Sequence, residues 1–236
     1  MRAAVAAVAA VFLSVACSSR STSSPGGARP DVKPRAFVRR IDNAWLPLVP
    51  GTTFVYRGVK DSQPSRDVVR VTAVTTVIAG VRCRAVDDRL YLRGRLGERT
   101  TDWYAQDAQG NVWYFGEATA ELDRSGRVTS TEGSWRAGRD GARAGIVMPA
   151  RPRVGQSFRQ ELYEGHAEDH FRIVSLSAPV RVPYVGSRRG LLTKEWTPLE
   201  PGVIDHKLYV RGVGMVKEET VQGGDERAVL VAVRRR

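Results

Sequence analysis

Short runs of β-branched and aromatic residues, about a dozen in number and each ended by turn-forming residues, constrain this fold more than any other feature. The runs recur between residues 52 and 233, and Gly, Pro, Asn, Asp and Ser cluster between them. Alternation of apolar and polar residues with a period of two is typical of strands, and no stretch shows the period of an amphipathic helix. We therefore predict an all-β protein, a single antiparallel meander that forms a barrel, half-barrel or sandwich.

The densest aromatic stretch lies at residues 101–135, which hold three of the five tryptophans. Two aromatic runs flank residues 107–110, whose first residue is Asp and last is Gly, as a type I turn with a hairpin bulge prefers. In the predicted hairpin Trp103 and Tyr104 point to opposite faces. Both faces therefore carry aromatic side chains, and both must be covered if the hairpin is buried.

This hairpin allows two interpretations. Either it is buried on both sides, or one side lines a cleft that holds a lipid, a glycan or a peptide. Residues 133–155 are rich in Gly and Pro and are predicted to form one long ordered loop that covers the hairpin. The candidate ligand-binding residues are Trp103, Tyr104, Trp113, Tyr114, Glu132 and Trp135.

The amino terminus has the pattern of an export signal. Residues 1–17 combine a basic residue, a short apolar run and an end at Cys17 that is similar to a bacterial lipobox, although Ser14 replaces the usual Leu. Two readings stay open, a lipoprotein anchored through lipid on Cys17 and a plainly secreted protein. Both predict an extracytoplasmic protein, and the first makes the membrane its partner. Residues 18–36 are predicted to be a disordered tether, and residues 37–236 the antiparallel β domain.

The second cysteine, Cys83, lies in a predicted strand and would pair with Cys17 only through a flexible end. We interpret it as a small buried apolar residue rather than a reactive thiol. Residues 41–51, with a proline on each side of an apolar segment, are predicted to form an extended arm that packs on the core before the first strand.

The charge of the chain does not point to nucleic acid. The net charge is +12, but 32 of the 37 basic residues are Arg and they are dispersed along the predicted strands. A groove-binding protein gathers such residues on one face, so we expect no nucleic-acid partner. The diffuse positive field would favour anionic lipid headgroups or cell-wall polymers. We expect a monomer.

Carboxylates close to the aromatic residues form a first candidate catalytic set, and they are Asp102, Asp107, Glu117 and Glu132. Two carboxylates with different environments could act as the acid and base of a hydrolase. Asp107 has a simpler explanation as a turn residue bonded to its own backbone.

A second candidate lies at residues 161–170, where four carboxylates alternate with two of the three histidines; the members are Glu161, Glu164, His166, Glu168, Asp169 and His170. His166, Glu168 and His170 would suit a divalent metal ion. The alternative is a solvated polar hairpin tip. The chain contains no motif for a nucleotide or other cofactor, and we expect no cofactor.

Several segments resemble a family of uncharacterised bacterial lipoprotein-like exported proteins. The resemblance rests on Pro50-Gly51-Thr52-Thr53, Asp102-Trp103-Tyr104-Ala105-Gln106-Asp107, Gly110-Asn111-Val112-Trp113-Tyr114-Phe115-Gly116-Glu117, Glu132-Gly133-Ser134-Trp135, Lys194-Glu195-Trp196-Thr197-Pro198-Leu199-Glu200-Pro201-Gly202 and Gly212-Val213-Gly214-Met215-Val216-Lys217-Glu218-Glu219. It implies an exported β protein and no particular activity. The sequence as a whole therefore predicts a cell-envelope lipoprotein that serves as a binding or structural module. The alternative is an exported hydrolase that uses the carboxylates or a metal held by the histidine cluster.

Overall fold

The computed structural model of the protein describes residues 33–235. The predicted signal peptide at residues 1–17, its Cys17 and residues 18–32 of the predicted tether lie outside the described residues. A short 3-10 helix at Pro34–Ala36 precedes the strands. The strands are β1 (Phe37–Val38), β2 (Thr52–Lys60), β3 (Gln63–Ile78), β4 (Val81–Leu92), β5 (Arg95–Asp107), β6 (Val112–Leu122), β7 (Val128–Ser130), β8 (Trp135–Arg136), β9 (Arg143–Met148), β10 (Ser157–Arg159), β11 (Glu161–Leu162), β12 (His170–Val182), β13 (Gly186–Trp196), β14 (Ile204–Val210), β15 (Gly214–Gln222) and β16 (Arg227–Arg235).

The strands form one antiparallel sheet that curls into a nearly closed barrel. Strands β2 to β6 and β12 to β16 each run as a meander, and β16 pairs with β2 to join the two meanders. The sheet ends at β10 and β11, which are separated in the chain by Gln160 alone, so its two edges meet. Gly145 of β9 permits this approach, because a Cβ there would lie 2.3 Å from the carbonyl oxygen of Arg159. The predicted all-β meander is confirmed, and its form is the barrel.

Two-residue turns set the register of the long strands. Asp61 and Ser62 join β2 to β3, and Ala79 and Gly80 join β3 to β4, with a positive φ at every one of these positions. This pair of angles is the type I′ turn that suits the twist of antiparallel strands. Between β5 and β6 the amide of Gly110 donates to the Asp107 carbonyl at 2.9 Å, and Gly110 has a φ of 92°. The predicted type I turn with its bulge is confirmed.

The barrel interior is apolar at one end. Alternate residues of the strands, such as Phe54, Val71 and Val86, point inward and are at most 6% exposed. The largest fully buried side chains of this core are Phe171, Met148, Ile173, Leu191 and Leu230. Burial of such side chains contributes about 1.5–3 kcal/mol each, so this end of the barrel supplies much of the driving force for folding.

The arm before β2 closes this apolar end, and we call residues 41–48 the plug. Ile41 and Leu48 are buried in the core, as the predicted arm requires. Asn43 holds the plug in place. Its amide donates to the carbonyl oxygens of Gly110 at 2.8 Å and Pro149 at 3.2 Å, and its side-chain oxygen accepts from two backbone amides of the plug.

Gln106 completes the attachment of the plug from the barrel wall. Its side-chain oxygen accepts hydrogen bonds from the backbone amides of Asp42 and Asn43, both at 2.9 Å, and its amide donates to the Asp42 carboxylate at 2.7 Å. Asn43 and Gln106 are 5% and 6% exposed, and the side-chain oxygen and nitrogen of each take part in at least one of these hydrogen bonds. The plug is therefore a specifically bonded part of the core.

A second apolar cluster packs around the β5–β6 hairpin. It includes Trp103, Phe115, Trp135 and Cys83, which are all less than 5% exposed. Cys83 is a buried residue of β4, as the sequence predicts, and burial raises the pKa of its thiol to about 12. The ordered segment at residues 133–155 carries the short strands β8 and β9 and contributes residues to this cluster.

Candidate functional site

An internal cavity of about 340 Å³ lies in the barrel next to the apolar end. Its floor includes Leu46 and Leu48 of the plug, while the exposed Glu132 lies at its rim. The volume is at the lower end of the range of small-molecule sites. Strands β2 to β6, β9, β11, β14 and β15 all contribute to its wall.

The wall of this cavity is strongly acidic. Among residues 33–235 it holds eleven carboxyl side chains, two lysines and no arginine. The carboxyl side chains are Asp67, Asp88, Glu98, Asp102, Glu117, Glu121, Glu132, Glu161, Asp169, Glu218 and Glu226. This is the reverse of the chain as a whole, whose net charge is +12. We call this space the acidic cavity.

Both lysines of the cavity are paired with carboxylates. The Lys207 ammonium lies 3.0 Å from Glu195 and 3.2 Å from Glu218. Burial lowers the pKa of Lys207, but the two carboxylates outweigh it and hold that pKa well above its ordinary value. Lys60, which is 7% exposed, lies 3.9 Å from Glu98, and its pKa is also raised by nearby carboxylates against the effect of burial.

Two carboxyl groups, Asp67 of β3 and Asp88 of β4, lie close together on neighbouring strands. Burial and then the charge of Asp67 raise the pKa of Asp88 well above its ordinary value, and burial also raises the pKa of Asp67. The Oδ1 atom of Asp67 is buried and has no hydrogen-bond partner.

Asp102 and Tyr114 form a bonded pair in the same wall. The Tyr114 hydroxyl donates to Asp102 Oδ1 at 2.6 Å. Burial, and after it the charge of Asp88, raise the pKa of Asp102 to about 7, although the bond from Tyr114 opposes the shift. Asp102 therefore changes its charge near neutral pH.

Glu161 is a buried carboxyl group in the wall of the cavity. It is 7% exposed, and its Oε2 atom has no hydrogen-bond partner. Burial and then the charge of Asp169 raise its pKa well above the ordinary value. The indole N–H of Trp135 lies near enough to oppose this shift, yet it does not reach hydrogen-bonding geometry and is itself unpartnered.

A β-bulge brings Glu117 into this group. Strict alternation along β6 from Tyr114 would place Gly116 inside, but the register shifts between Asp102 and Tyr104, and Gly116 has a φ of 127°. A Cβ at Gly116 would lie 2.2 Å from the carbonyl oxygen of Trp135, so only glycine fits there. Burial and then the charge of Glu161 raise the pKa of Glu117 well above its ordinary value.

The structure divides the six predicted ligand-binding residues between two places. Tyr104 and Tyr114 line the acidic cavity with their rings stacked at 4.9 Å, and Glu132 lies at its rim. Trp135 packs edge-on against Tyr114 at 5.5 Å, behind the wall.

Trp103 and Trp113 lie on the other face of the hairpin, away from the cavity. The Arg136 guanidinium covers the Trp103 ring at 4.2 Å, and the Trp113 indole N–H donates to Asp107 at 2.8 Å. The predicted assignment of hairpin residues to opposite faces is confirmed, and both faces are covered.

Of the four predicted catalytic carboxylates, three contribute to the cavity. Asp102, Glu117 and Glu132 line it, and Asp102 is the direct cross-strand partner of Glu117. Asp107 instead accepts hydrogen bonds from the backbone and side-chain amides of Asn111, which is the turn role that the sequence predicts for it.

The three predicted metal ligands are engaged separately. His166 stacks on Tyr163 at 4.3 Å, and His170 stacks on Trp196 at 5.6 Å. The Glu168 carboxylate accepts from the backbone amide of Gly165 at 2.7 Å. Within residues 33–235 no group of three or more His, Cys, Asp or Glu side chains is arranged to hold a metal ion. Glu161 and Asp169, from the same predicted cluster, point into the acidic cavity.

Sequence analysis missed Lys60, Asp67, Asp88, Glu98 and Lys207 as residues of the site. A signal was present, because Asp67 shares the phase of Val69 and Val71 on β3, whereas the exposed Arg66 and Arg70 occupy the other phase. A carboxylate in the phase of the core, with arginine in the opposite phase, marks an inward-pointing acid.

Comparison with known proteins gives similarity at the level of fold alone. No family model matches the chain, and no curated protein matches it. A solved structure from Bacteroides fragilis, assigned as an exported protein with YmcC-like fold, is 12% identical with a TM-score of 0.47. A second, from Parabacteroides distasonis and assigned as a lipoprotein, is 10% identical with a TM-score of 0.44. Each covers 82% of this chain and is itself covered completely. Among the described residues, no helix is long and apolar enough to cross a membrane.

Proposed function

We propose that this protein is an exported cell-envelope lipoprotein whose barrel binds a small molecule in the acidic cavity. The observation that carries the binding function is the 340 Å³ internal space lined by polar side chains and tyrosines. A protein that needed only a stable core would fill this space with apolar side chains, because voids and buried carboxyl groups both lower stability. The export signal and Cys17 support the location and the anchor.

The wall favours some of the predicted ligand classes over others. A lipid acyl chain would leave the carboxylates of the wall without bonding partners, so a lipid is the least suited ligand. A glycan or a peptide side chain could donate hydrogen bonds to Asp102 and Glu117 while it packs on Tyr104. The ligand is therefore a polar molecule with several donors.

The test compares two aromatic residues of one hairpin. Native mass spectrometry of the purified full-length protein should find a small bound molecule, which denaturation releases for identification. Tyr104→Leu, in the cavity wall, should weaken binding of that molecule at least tenfold. Trp113→Leu, on the other face of the hairpin, should leave its affinity within about twofold. Equal loss in both variants, or a cavity that never holds a ligand, would overturn the binding function.

One pair of residues favours a second function, an exported glycoside hydrolase. Asp102 and Glu117 are direct cross-strand partners, and the pKa of Asp102 at about 7 suits a general acid at neutral pH. Incubation with a panel of chromogenic glycosides tests this function. Turnover that Asp102→Asn and Glu117→Gln each abolish would support it, and no turnover of any glycoside would remove it.

A further inference from the structure

We infer that the ligand of the acidic cavity is an organic cation, an amine carried on a short apolar stem. This inference rests on the proposed binding function and names the chemical class of its ligand. It is carried by the composition of the wall, in which eleven carboxyl groups face two lysines and no arginine within the described residues. An ammonium group favours the charged form of nearby carboxyl groups and then pairs with them, so such a wall favours cations over anions.

The barrel already contains two ammonium groups in the arrangement that a ligand would adopt. The Lys207 ammonium lies between Glu195 and Glu218 at 3.0 and 3.2 Å, with its stem inside the barrel. Lys60 is nearly fully buried beside Glu98. The ion pairs of these two lysines involve Glu98 and Glu218 of the wall, and the other nine of its eleven carboxyl groups lie outside these pairs.

Glu161 is an independent indication that the cavity accepts a hydrogen-bond donor. Its carboxyl group is more than nine-tenths buried, lines the cavity and leaves Oε2 without a hydrogen-bond partner, since the nearby indole N–H of Trp135 does not reach hydrogen-bonding geometry. A buried carboxyl group without a partner lowers stability, and an ammonium group would supply both a charge and hydrogen bonds. Asp67 Oδ1, also in the wall, is unpartnered in the same way.

Carboxyl groups lie both at the exposed rim and in the buried part of the cavity wall. Glu132 is exposed at the rim, Glu121 is half-buried, and Glu161 is buried. Glu121 lies on β6, Glu161 on β11 and Glu132 in the turn before β8, an arrangement that suits the spread donors of an extended amine. Outside the barrel, arginines such as Arg57 and Arg99 are exposed, so the field draws a cation specifically toward the cavity.

Apolar side chains in the same wall supply a surface for the stem of the ligand. Val69, Leu90 and Met215 line the cavity beside the carboxylates, and Tyr104 stacks on Tyr114 there. A methylene chain would pack on these groups, and an ammonium over a tyrosine ring gains cation–π attraction. A linear diamine satisfies both the acidic and the apolar parts of the wall.

The same chemistry has two sources, a free amine and the lysine side chain of a peptide. Isothermal titration calorimetry of the full-length protein at pH 8 distinguishes them with cadaverine, spermidine and a capped lysine amide. The neutral 1,5-pentanediol is the control for cadaverine, because it has the same stem without the charge. We expect binding of the amines and at least tenfold weaker binding of the diol. A capped lysine that binds more tightly than the free diamines would assign the ligand to a peptide, and the reverse would assign it to a free amine.

Substitutions of single carboxyl groups test whether the amine binds in the cavity. Glu161→Gln should weaken amine binding at least tenfold, and Glu117→Gln should act in the same direction. Glu164→Gln, which alters an exposed carboxylate three residues away, should leave the affinity unchanged. Circular dichroism of each variant checks that the fold is intact.

Two negative results would lead to different conclusions about the organic cation and about the binding function. If a neutral sugar or lipid binds with sensitivity to Tyr104→Leu and no amine binds, the organic cation is excluded while the binding function survives. If no ligand of any class binds, both are overturned. Amine binding that is equal in wild type and Glu161→Gln would also contradict the inference, because it would place the amine elsewhere.

Discussion

The two ends of the barrel interior treat buried polar groups in opposite ways. At the plugged end, Asn43 and Gln106 are buried among apolar side chains and have all of their hydrogen bonds within the protein. In the acidic cavity, Glu161 and Asp67 each have a buried oxygen without a partner. The first arrangement stabilises the fold, whereas the second lowers stability unless something else enters the cavity.

This difference distinguishes the end of the barrel interior that stabilises the fold from the cavity that we propose binds a ligand. Proteins commonly keep destabilising groups at functional sites and compensate for them elsewhere. Here the compensation comes from the apolar core, closed by the plug. Substitutions at the two ends should therefore have different effects.

The largest expected effect is at Lys207. Lys207→Met leaves Glu195 and Glu218 without their cation inside the barrel, and we expect a loss of roughly 3–5 kcal/mol in the free energy of unfolding. Urea denaturation with an unchanged slope measures the loss. The control is Lys194→Met on the outer face of β13, where the ammonium lies 6.0 Å from the Trp196 ring and the loss should stay below about 1 kcal/mol. Equal losses would mean that the internal ion pairs have no special role.

The second largest effect on the free energy of unfolding is expected at the plug. Asn43→Ala removes four hydrogen bonds and leaves the carbonyl oxygens of Gly110 and Pro149 without this partner, so we expect a loss of about 2–4 kcal/mol. Gln222→Ala, at an exposed position of β15, should change the free energy of unfolding by less than about 0.5 kcal/mol. If Asn43→Ala lowers the free energy of unfolding no more than Gln222→Ala does, the hydrogen bonds of Asn43 do not hold the plug in place.

A smaller effect is expected from pH. A carboxyl group whose pKa is higher in the folded protein holds its proton more tightly when folded, so the free energy of unfolding falls as the pH rises from the unfolded pKa through the folded one. For Asp102 this window runs from 3.8 to about 7. We expect the ligand-free protein to be less stable at pH 8 than at pH 5, with Asp102 contributing on the order of 2 kcal/mol.

Asp102→Asn should flatten this pH dependence, and Glu164→Gln should not. Denaturation curves for the two variants at pH 5 and pH 8 give the comparison directly. A protein that becomes more stable toward pH 8 would show that the cavity carboxyl groups are already stabilised in their charged form.

Much of the fold could be predicted from the sequence, because turns and alternation are local signals. The turn at residues 107–110 and the opposite faces of Trp103 and Tyr104 follow from residue types within a few positions. Closure of the sheet into a barrel could not be predicted, because it depends on β16 meeting β2, and on Gly145, across long sequence distances.

The candidate site was only partly predictable, for two physical reasons. Trp103 and Trp113 suggested a ligand surface by composition, but indole rings serve equally well as core, and these two rings pack on the outer face of the hairpin. Glu117 enters the cavity only because the bulge at Gly116 shifts the alternation, which no strict period of two can anticipate.

The most direct test of the contrast between the two ends is the stability of Glu161→Gln without ligand. The free energy of unfolding of this variant is compared with that of the wild type at pH 8, after dialysis against high salt to remove bound amines. An unpartnered carboxylate that serves a ligand contributes nothing to the empty fold, so we predict equal or greater stability for Glu161→Gln. A loss of more than about 1 kcal/mol would contradict the account, because it would show that Glu161 already has a structural partner.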